Sequence, residues 1–236
     1  MTARPHGPSL GRVAAVARDL GDLTDQVVFI GGAIAPLLQT HPPFPRARVT
    51  SDVDGVIASQ KYADYEVLRR ELEARGFRQT MDDTKHVNRW IAPCSIPVDI
   101  MPAGDHLGGS GNPWDAMAID TAVTLALDNE ISILHVNAPS FLAQKWAAHQ
   151  DRGAADPLRS HDLEDILALL ASRPGIVGEV LAAPLELRRY VAAHARDFLK
   201  DPNAEDLLAA HLNNSQEPAA TIKVVREILR EIASGP

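Results

Sequence analysis

The sequence predicts an α+β protein, a mixed β-sheet flanked by helices and followed by a C-terminal helical bundle. Two observations carry this expectation. Short, β-branched, apolar segments bounded by glycine and proline fall between residues 26 and 136, interleaved with amphipathic helical patterns. Beyond Asn137 the pattern is helical throughout, broken at Pro174, Pro184, Pro202 and Pro218. The expected division is a mixed unit over residues 1–136 and a helical unit over residues 137–236. At 236 residues the chain is long enough for one good core or two small domains.

Leu10, Val13, Val16, Ala17 and Leu20 share one helical face, with Ser9 as the expected N-cap and Gly21 as the stop. Residues 26–30 read as a buried strand running into Gly31-Gly32. Two readings of that pair stay open. It is a tight turn, or a turn that lets a backbone approach a phosphate while a helix over 33–38 points its free N–H groups at the anion. Residues 41–48 are proline-rich, extended and basic, so Arg46 and Arg48 are either phosphate contacts or solvated loop arginines.

The segment Thr50-Ser51-Asp52-Val53-Asp54-Gly55-Val56-Ile57 reads as the next strand. Side chains alternate along a strand, so Asp52 and Asp54 share one face and Val53 points to the other, toward the core. Two carboxylates at the rim of an otherwise buried strand suit a divalent cation such as Mg²⁺ or Mn²⁺, a hard ion bound through one or two carboxylates, water and phosphate. Tyr62, Tyr65, Leu68 and Leu72 then predict a helix over 61–75, closed by Gly76. Strands are expected at 77–80, 87–92 and 96–101. The last contains Asp99 in an apolar setting, where an unpaired charge is costly. Its partner is either a cation shared with Asp52 and Asp54, if the strands are neighbours, or Arg89.

Residues 103–112 hold four glycines and read as a loop. Gly108-Gly109-Ser110-Gly111 lacks the lysine and following helix of a P-loop and is set aside. Residues 121–127 and 131–136 predict a hairpin. Pro139 opens a helix over 140–149 that carries Lys145, and Ser160 N-caps another, with Glu164 near the reciprocal capping position.

Composition narrows the function. Hydrophobic residues at 45% and charged residues at 23% are ordinary globular values. A formal charge of −8 argues against a uniformly basic protein that coats nucleic acid, so any RNA affinity would be local. A single cysteine, Cys94, excludes an intramolecular disulfide and a cysteine-built zinc site. Residues 1–9 lack a signal-peptide apolar run and no stretch reaches 18 apolar residues, so a cytoplasmic protein without a membrane partner is expected.

Gly31-Gly32, the Asp52/Asp54 pair and Asp99 together resemble the polymerase-β-type nucleotidyltransferase fold, in which a glycine turn opens a helix, a strand carries an acidic pair and a later strand adds a third carboxylate. Phe141-Leu142-Ala143-Gln144-Lys145 and Ser160-His161-Asp162-Leu163-Glu164-Asp165 look like the downstream lysine and aspartate motifs of the AbiEii/MenT toxin nucleotidyltransferases. The resemblance covers roughly residues 27–170. It implies a nucleotidyltransferase-like mixed sheet and transfer of NMP from an NTP to an acceptor hydroxyl, on RNA (a tRNA 3′ end) or on a protein, in a toxin that has an antitoxin partner.

The same resemblance implies that Asp52, Asp54 and Asp99 hold Mg²⁺ or Mn²⁺ and that Lys145 binds the triphosphate and stabilises the leaving pyrophosphate. It also places Gly31 and Gly32 at the nucleotide and has Asp162 or Asp165 fix either Lys145 or the nucleotide. Ser51 or Thr50 would supply the hydroxyl that relatives carry in a Gly-Ser turn. The alternatives are plainer: an exposed helix lysine, acidic residues in the first turn of a helix, or a domain that binds a nucleotide or a partner without turnover. His161-Asp162 lacks the further histidines of a His-Asp phosphohydrolase, and Cys94 has no histidine base nearby in the sequence.

Overall fold

The computed structural model describes residues 8–41, 50–58, 62–80, 88–104, 109–128 and 131–235. Arg46, Arg48 and residues 105–108 of the glycine-rich segment lie outside these. The protein is α+β, as its pattern predicts. Among the described residues, those up to Pro36 and those from 50 to Asn137 form one compact unit; Leu37–His41 and everything from Ala138 onward form the other.

The first unit opens with helix α1, Pro8–Leu20. It begins two residues earlier than an N-cap at Ser9 implies, so Ser9 lies inside the helix, buried, and Pro8 takes the first helical position, which proline tolerates because its missing N–H has no intrahelical partner. A 3₁₀ segment, Gly21–Gln26, leads into strand β1, Val28–Ile30. Helix α2, Ala35–Leu38, is a single turn and starts later than expected. Ile34 and Ala35 spend their N–H groups on the carbonyls of Gly31 and Gly32, and Pro36 has no N–H and restricts the residue before it. The helix expected over 33–38 is thus reduced to Ala35–Leu38, and two of the N–H groups expected to face an anion are taken up by the turn.

Strand β2, Val53–Ile57, helix α3, Tyr62–Ala74, and strands β3, Arg78–Gln79, β4, Arg89–Ile91, and β5, Pro97–Pro102, follow in the expected order. Helix α4, Asp115–Asp120, is a feature the sequence pattern did not announce; Trp114 and Ala118, four residues apart, bury its inner face. Strands β6, Val123–Ala126, and β7, Ser132–His135, form the expected hairpin.

These strands make one mixed seven-stranded sheet in the order β3-β4-β5-β2-β1-β7-β6. β2 is the pivot: it pairs antiparallel with β1 and parallel with β5. Gly55 lets it sit close, because a methyl at that position would press into Val27. One face of the sheet buries Trp90, Val98 and Val53, which lie in register on β4, β5 and β2 and are at most 1% exposed.

The second unit is helical. It contains α5, Ala138–Ala148, continued by a π-helical turn, His149–Gly153, and then α6, His161–Ser172. Ser160 caps α6, its hydroxyl accepting from the Leu163 N–H, while Glu164 turns to His161 and takes no part in the cap. Helices α7, Ile176–Ala182, α8, Leu185–Lys200, α9, Ala204–Leu212, and α10, Pro218–Ser234, lie between the prolines that were expected to separate them. Among the described residues no helix is long and apolar enough to cross a membrane.

Candidate metal centre

Strand register decides which side chains meet. Asp54 on β2 pairs with Asp99 on β5, and Asp99 pairs with Arg89 on β4. Directly paired residues point to the same face of a sheet, so Arg89, Asp99 and Asp54 form one row across three strands, on the face opposite the Trp90-Val98-Val53 row. Asp52 joins them from two positions upstream. The result is a cluster in which Asp52, Asp54 and Asp99 each offer an oxygen, all within 4.8 Å of one another and all half-buried. Three hard oxygen donors at that spacing have the chemistry of a Mg²⁺ or Mn²⁺ site. Among the described residues it is the one group of acidic, histidine or cysteine side chains placed to share an ion.

Of the two partners considered for Asp99, Arg89 is in place, and Asp52 and Asp54 lie close enough to share a cation with it. Arg89 donates from Nε to Asp99 Oδ1 at 2.8 Å and from a terminal nitrogen to Oδ2 at 2.6 Å, the two-pronged geometry that guanidinium and carboxylate favour. The same terminal nitrogen reaches Asp52 Oδ2 at 3.3 Å. The hydrogen bonds to Asp99, opposed by partial burial, hold the Arg89 guanidinium above its already high ordinary value. It remains a permanent cation beside the carboxylates.

Gly31 closes the other side. Its φ of +72° is a left-handed conformation, and a methyl added to it would overlap the Asp54 carboxylate. This glycine is required twice over, for its backbone and for the space it leaves to Asp54. Ser51 is exposed at the edge of the cluster's strand, whereas Thr50 is 5% exposed and its hydroxyl finds no partner among the described residues. Of the two candidate hydroxyls, Ser51 is the one presented to solvent. The Arg12 side chain donates to the Thr50 carbonyl and so ties α1 to the entry of β2.

Lys145, Asp162 and Asp165 lie together in the helical unit. The Lys145 ammonium, 8% exposed, sits 3.0 Å from Asp162 Oδ1 and 2.6 Å from Asp165 Oδ2. Both aspartates pair with the lysine. Arg152, carried by the π-helical turn, adds two bonds to Asp162 at 2.8 and 3.0 Å. Burial pulls the Lys145 pKa down, but Asp165 and Asp162 outweigh it and hold the ammonium above its usual value. Burial likewise raises Asp162, and Arg152 and Lys145 more than reverse it, leaving the carboxyl below its usual range.

Asp162 is committed to two cations, and His161 faces solvent beside Glu164, not a metal cluster. Cys94 lies at the surface, and partial burial with Asp19 beside it pushes the thiol up to about 11, the wrong direction for a nucleophile. Arg12 is the contributor sequence reasoning missed, and it left no local signal, since its contact spans 38 residues. No family model matches the chain, and no curated protein matches it.

Proposed function

We propose that the protein is a divalent-metal-dependent nucleotidyltransferase of the polymerase-β type, similar to the AbiEii/MenT group, moving NMP from an NTP to an acceptor hydroxyl with release of pyrophosphate. The observation that carries this reading is the convergence of Asp52, Asp54 and Asp99 on one sheet face within 4.8 Å, with Gly31 leaving the room that the Asp54 carboxylate fills. Asp52 and Asp54 would hold the cation, with Asp99 as the third ligand. When bound, the cation supplies charge that polarises phosphoryl oxygens and lowers the pKa of a coordinated hydroxyl.

The chain's own residues account for orientation. Ser51 offers a hydroxyl to a phosphate at the end of the acidic strand. Gly31 gives the Asp54 carboxylate the room it occupies. The acceptor in this reading is RNA, with a tRNA 3′ end as the first candidate, or a protein hydroxyl. A toxin role, with an antitoxin partner and a cytoplasmic site of action, extends the same proposal. Lys145 enters as the counter-charge of the triphosphate on resemblance alone; within its own unit its ammonium is balanced by Asp162 and Asp165.

One observation favours a second reading, a domain that binds nucleotide or partner without turnover: Arg89 already engages both oxygens of Asp99. Incubation with each labelled NTP, Mg²⁺, total RNA and protein separates the two. Transfer is expected with the native chain and is expected to fall by at least about a hundredfold in Asp54→Asn, the scale on which removing one electrostatic contributor to a reacting centre acts. Equal label transfer in both proteins, or none to RNA, self or added protein, removes the enzymatic reading. NTP binding that survives in Asp54→Asn without turnover supports the second.

A further inference from the structure

Arg89 is placed unlike an ordinary strand ion pair. Its guanidinium occupies both oxygens of the third carboxylate, at 2.6 and 2.8 Å, and extends a further contact to the first, Asp52, at 3.3 Å. It thus touches two of the three residues that would hold a cation. Its backbone is fixed: Thr80 N–H donates to its carbonyl, and the neighbouring Asn88 accepts Ile100 N–H on its carbonyl and the Tyr65 hydroxyl on its side chain. Its side chain is 31% exposed, against 14% for Asp99, so the guanidinium has a route into solvent that the carboxylate lacks. The anchored backbone and the half-exposed head together describe a side chain able to leave Asp99 while the strand stays put.

Charge gives that geometry its meaning. Three carboxylates within 4.8 Å repel one another, and Arg89 brings a positive charge against two of them. A divalent ion drawn to the same oxygens would lie beside a positively charged guanidinium, and the two cations oppose each other at short range. We infer that Arg89 is a built-in competitor for the divalent ion, a positioning residue that holds the cation-free carboxylates together and withholds Asp99 until it swings away, so that its removal tightens cation binding. This rests on the metal-centre reading above. Asp99, held at both oxygens, is the ligand most directly under arginine control. An incoming triphosphate is the natural group to draw the guanidinium off, since arginine pairs with phosphate as readily as with carboxylate.

Mn²⁺ alone, titrated into the full chain after EDTA dialysis and followed by the electron paramagnetic resonance of the free ion, tests the inference without any activity. The native chain is expected to bind Mn²⁺ and Asp54→Asn to lose it. Arg89→Met is expected to bind about tenfold more tightly, the scale of one charge-assisted hydrogen bond set lost to a competitor. Arg89→Lys, a point charge without the fork, should fall between. In EDTA, Arg89→Met should melt below the native chain, and Mn²⁺ should recover more of its Tm than it adds to the native protein. A merely structural arginine would lower Tm in EDTA and Mn²⁺ alike.

Mn²⁺ affinity equal to or weaker than native in both Arg89 variants, with the native chain binding and Asp54→Asn not, overturns the inference and leaves the metal centre standing. If Arg89→Met does not fold under either condition, Arg89→Lys decides, tighter binding supporting the inference and equal or weaker binding overturning it. Absence of Mn²⁺ binding from the native chain and every variant overturns both the inference and the metal centre. Binding seen in Arg89→Met but not in the native chain supports both.

Discussion

A single methyl group at Gly31 would test the carboxylate cluster without touching any of its charges. Its methyl would overlap Asp54, and the left-handed backbone adds about 1–2 kcal/mol of strain for a non-glycine residue. Gly31→Ala is therefore expected to fold with a lowered Tm and to lose most Mn²⁺ binding; native-like binding would show that the carboxylate does not need the space. At Lys145 the expected loss is of another kind. Lys145→Met leaves Asp162 and Asp165 buried without their ammonium, and breaking a buried ion pair in this way typically costs about 3–5 kcal/mol. Denaturant unfolding should show it, whereas a lysine serving only the triphosphate would leave stability unchanged and reduce NTP binding. At this scale the sequence was readable where alternation speaks: Asp52, Asp54 and Asp99 stood out as charges in apolar strands. It left Asp99 between a metal and Arg89 because spacing along a chain does not report whether two strands are neighbours. Arg12 was invisible because nothing in its own helix marks the carbonyl it serves.

Helix α6 and the π-helical turn before it work as one element. Ser160 caps α6 and its hydroxyl also lies 2.8 Å from His149 Nδ1 at the start of the turn that carries Arg152 to Asp162. Ser160→Ala should cost about 1 kcal/mol for the cap, read as a shift in the denaturation midpoint. Acidification should act on this unit in two stages. Burial holds His149 and His194 below the ordinary histidine value of 6.5, so their neutral forms belong to the folded state. Asp162 and His211 face His149, and Asp197 faces His194, without reversing that shift. The stability tied to the neutral imidazoles is complete above pH 6.5 and declines as pH falls below it. The depressed Asp162 acts later: its contribution is full above the unfolded value of 3.8 and is lost as pH falls through the lower folded one. Tm followed from pH 8 to 3 should show the first decline flattened in a His149→Gln/His194→Gln variant, and an unchanged profile would contradict the assignment. The long amphipathic helices were legible from their 3.6-residue period and prolines. Helix α4 was not, because six residues with two buried apolar neighbours carry too little period to distinguish from a loop.

For the molecule as a whole, the α+β composition followed from where strand-like and helix-like patterns fall, but the strand order did not. Nothing in the chain announces that β2 lies between β1 and β5, because that neighbourhood is set by long-range packing of faces such as Trp90, Val98 and Val53. On the metal-centre proposal, an ion that binds only the folded cluster adds to the stability of the native state. Mn²⁺ at a hundred times its dissociation constant should stabilise the native chain by about 2.7 kcal/mol. Thermal melts should show that rise and its absence in Asp54→Asn. The three-strand row through Arg89, Asp99 and Asp54 also makes the cluster sensitive to parity. Inserting one residue in β5 ahead of Asp99 would turn that aspartate through the sheet to the side of Trp90, erasing the third ligand while leaving a pairable strand. Inserting two would return it to the correct side but displaced by about 6.6 Å along the strand, beyond reach of Asp52 and Asp54. Length changes near this cluster are thus tolerated in the loops and forbidden in the strands, whichever residues are inserted.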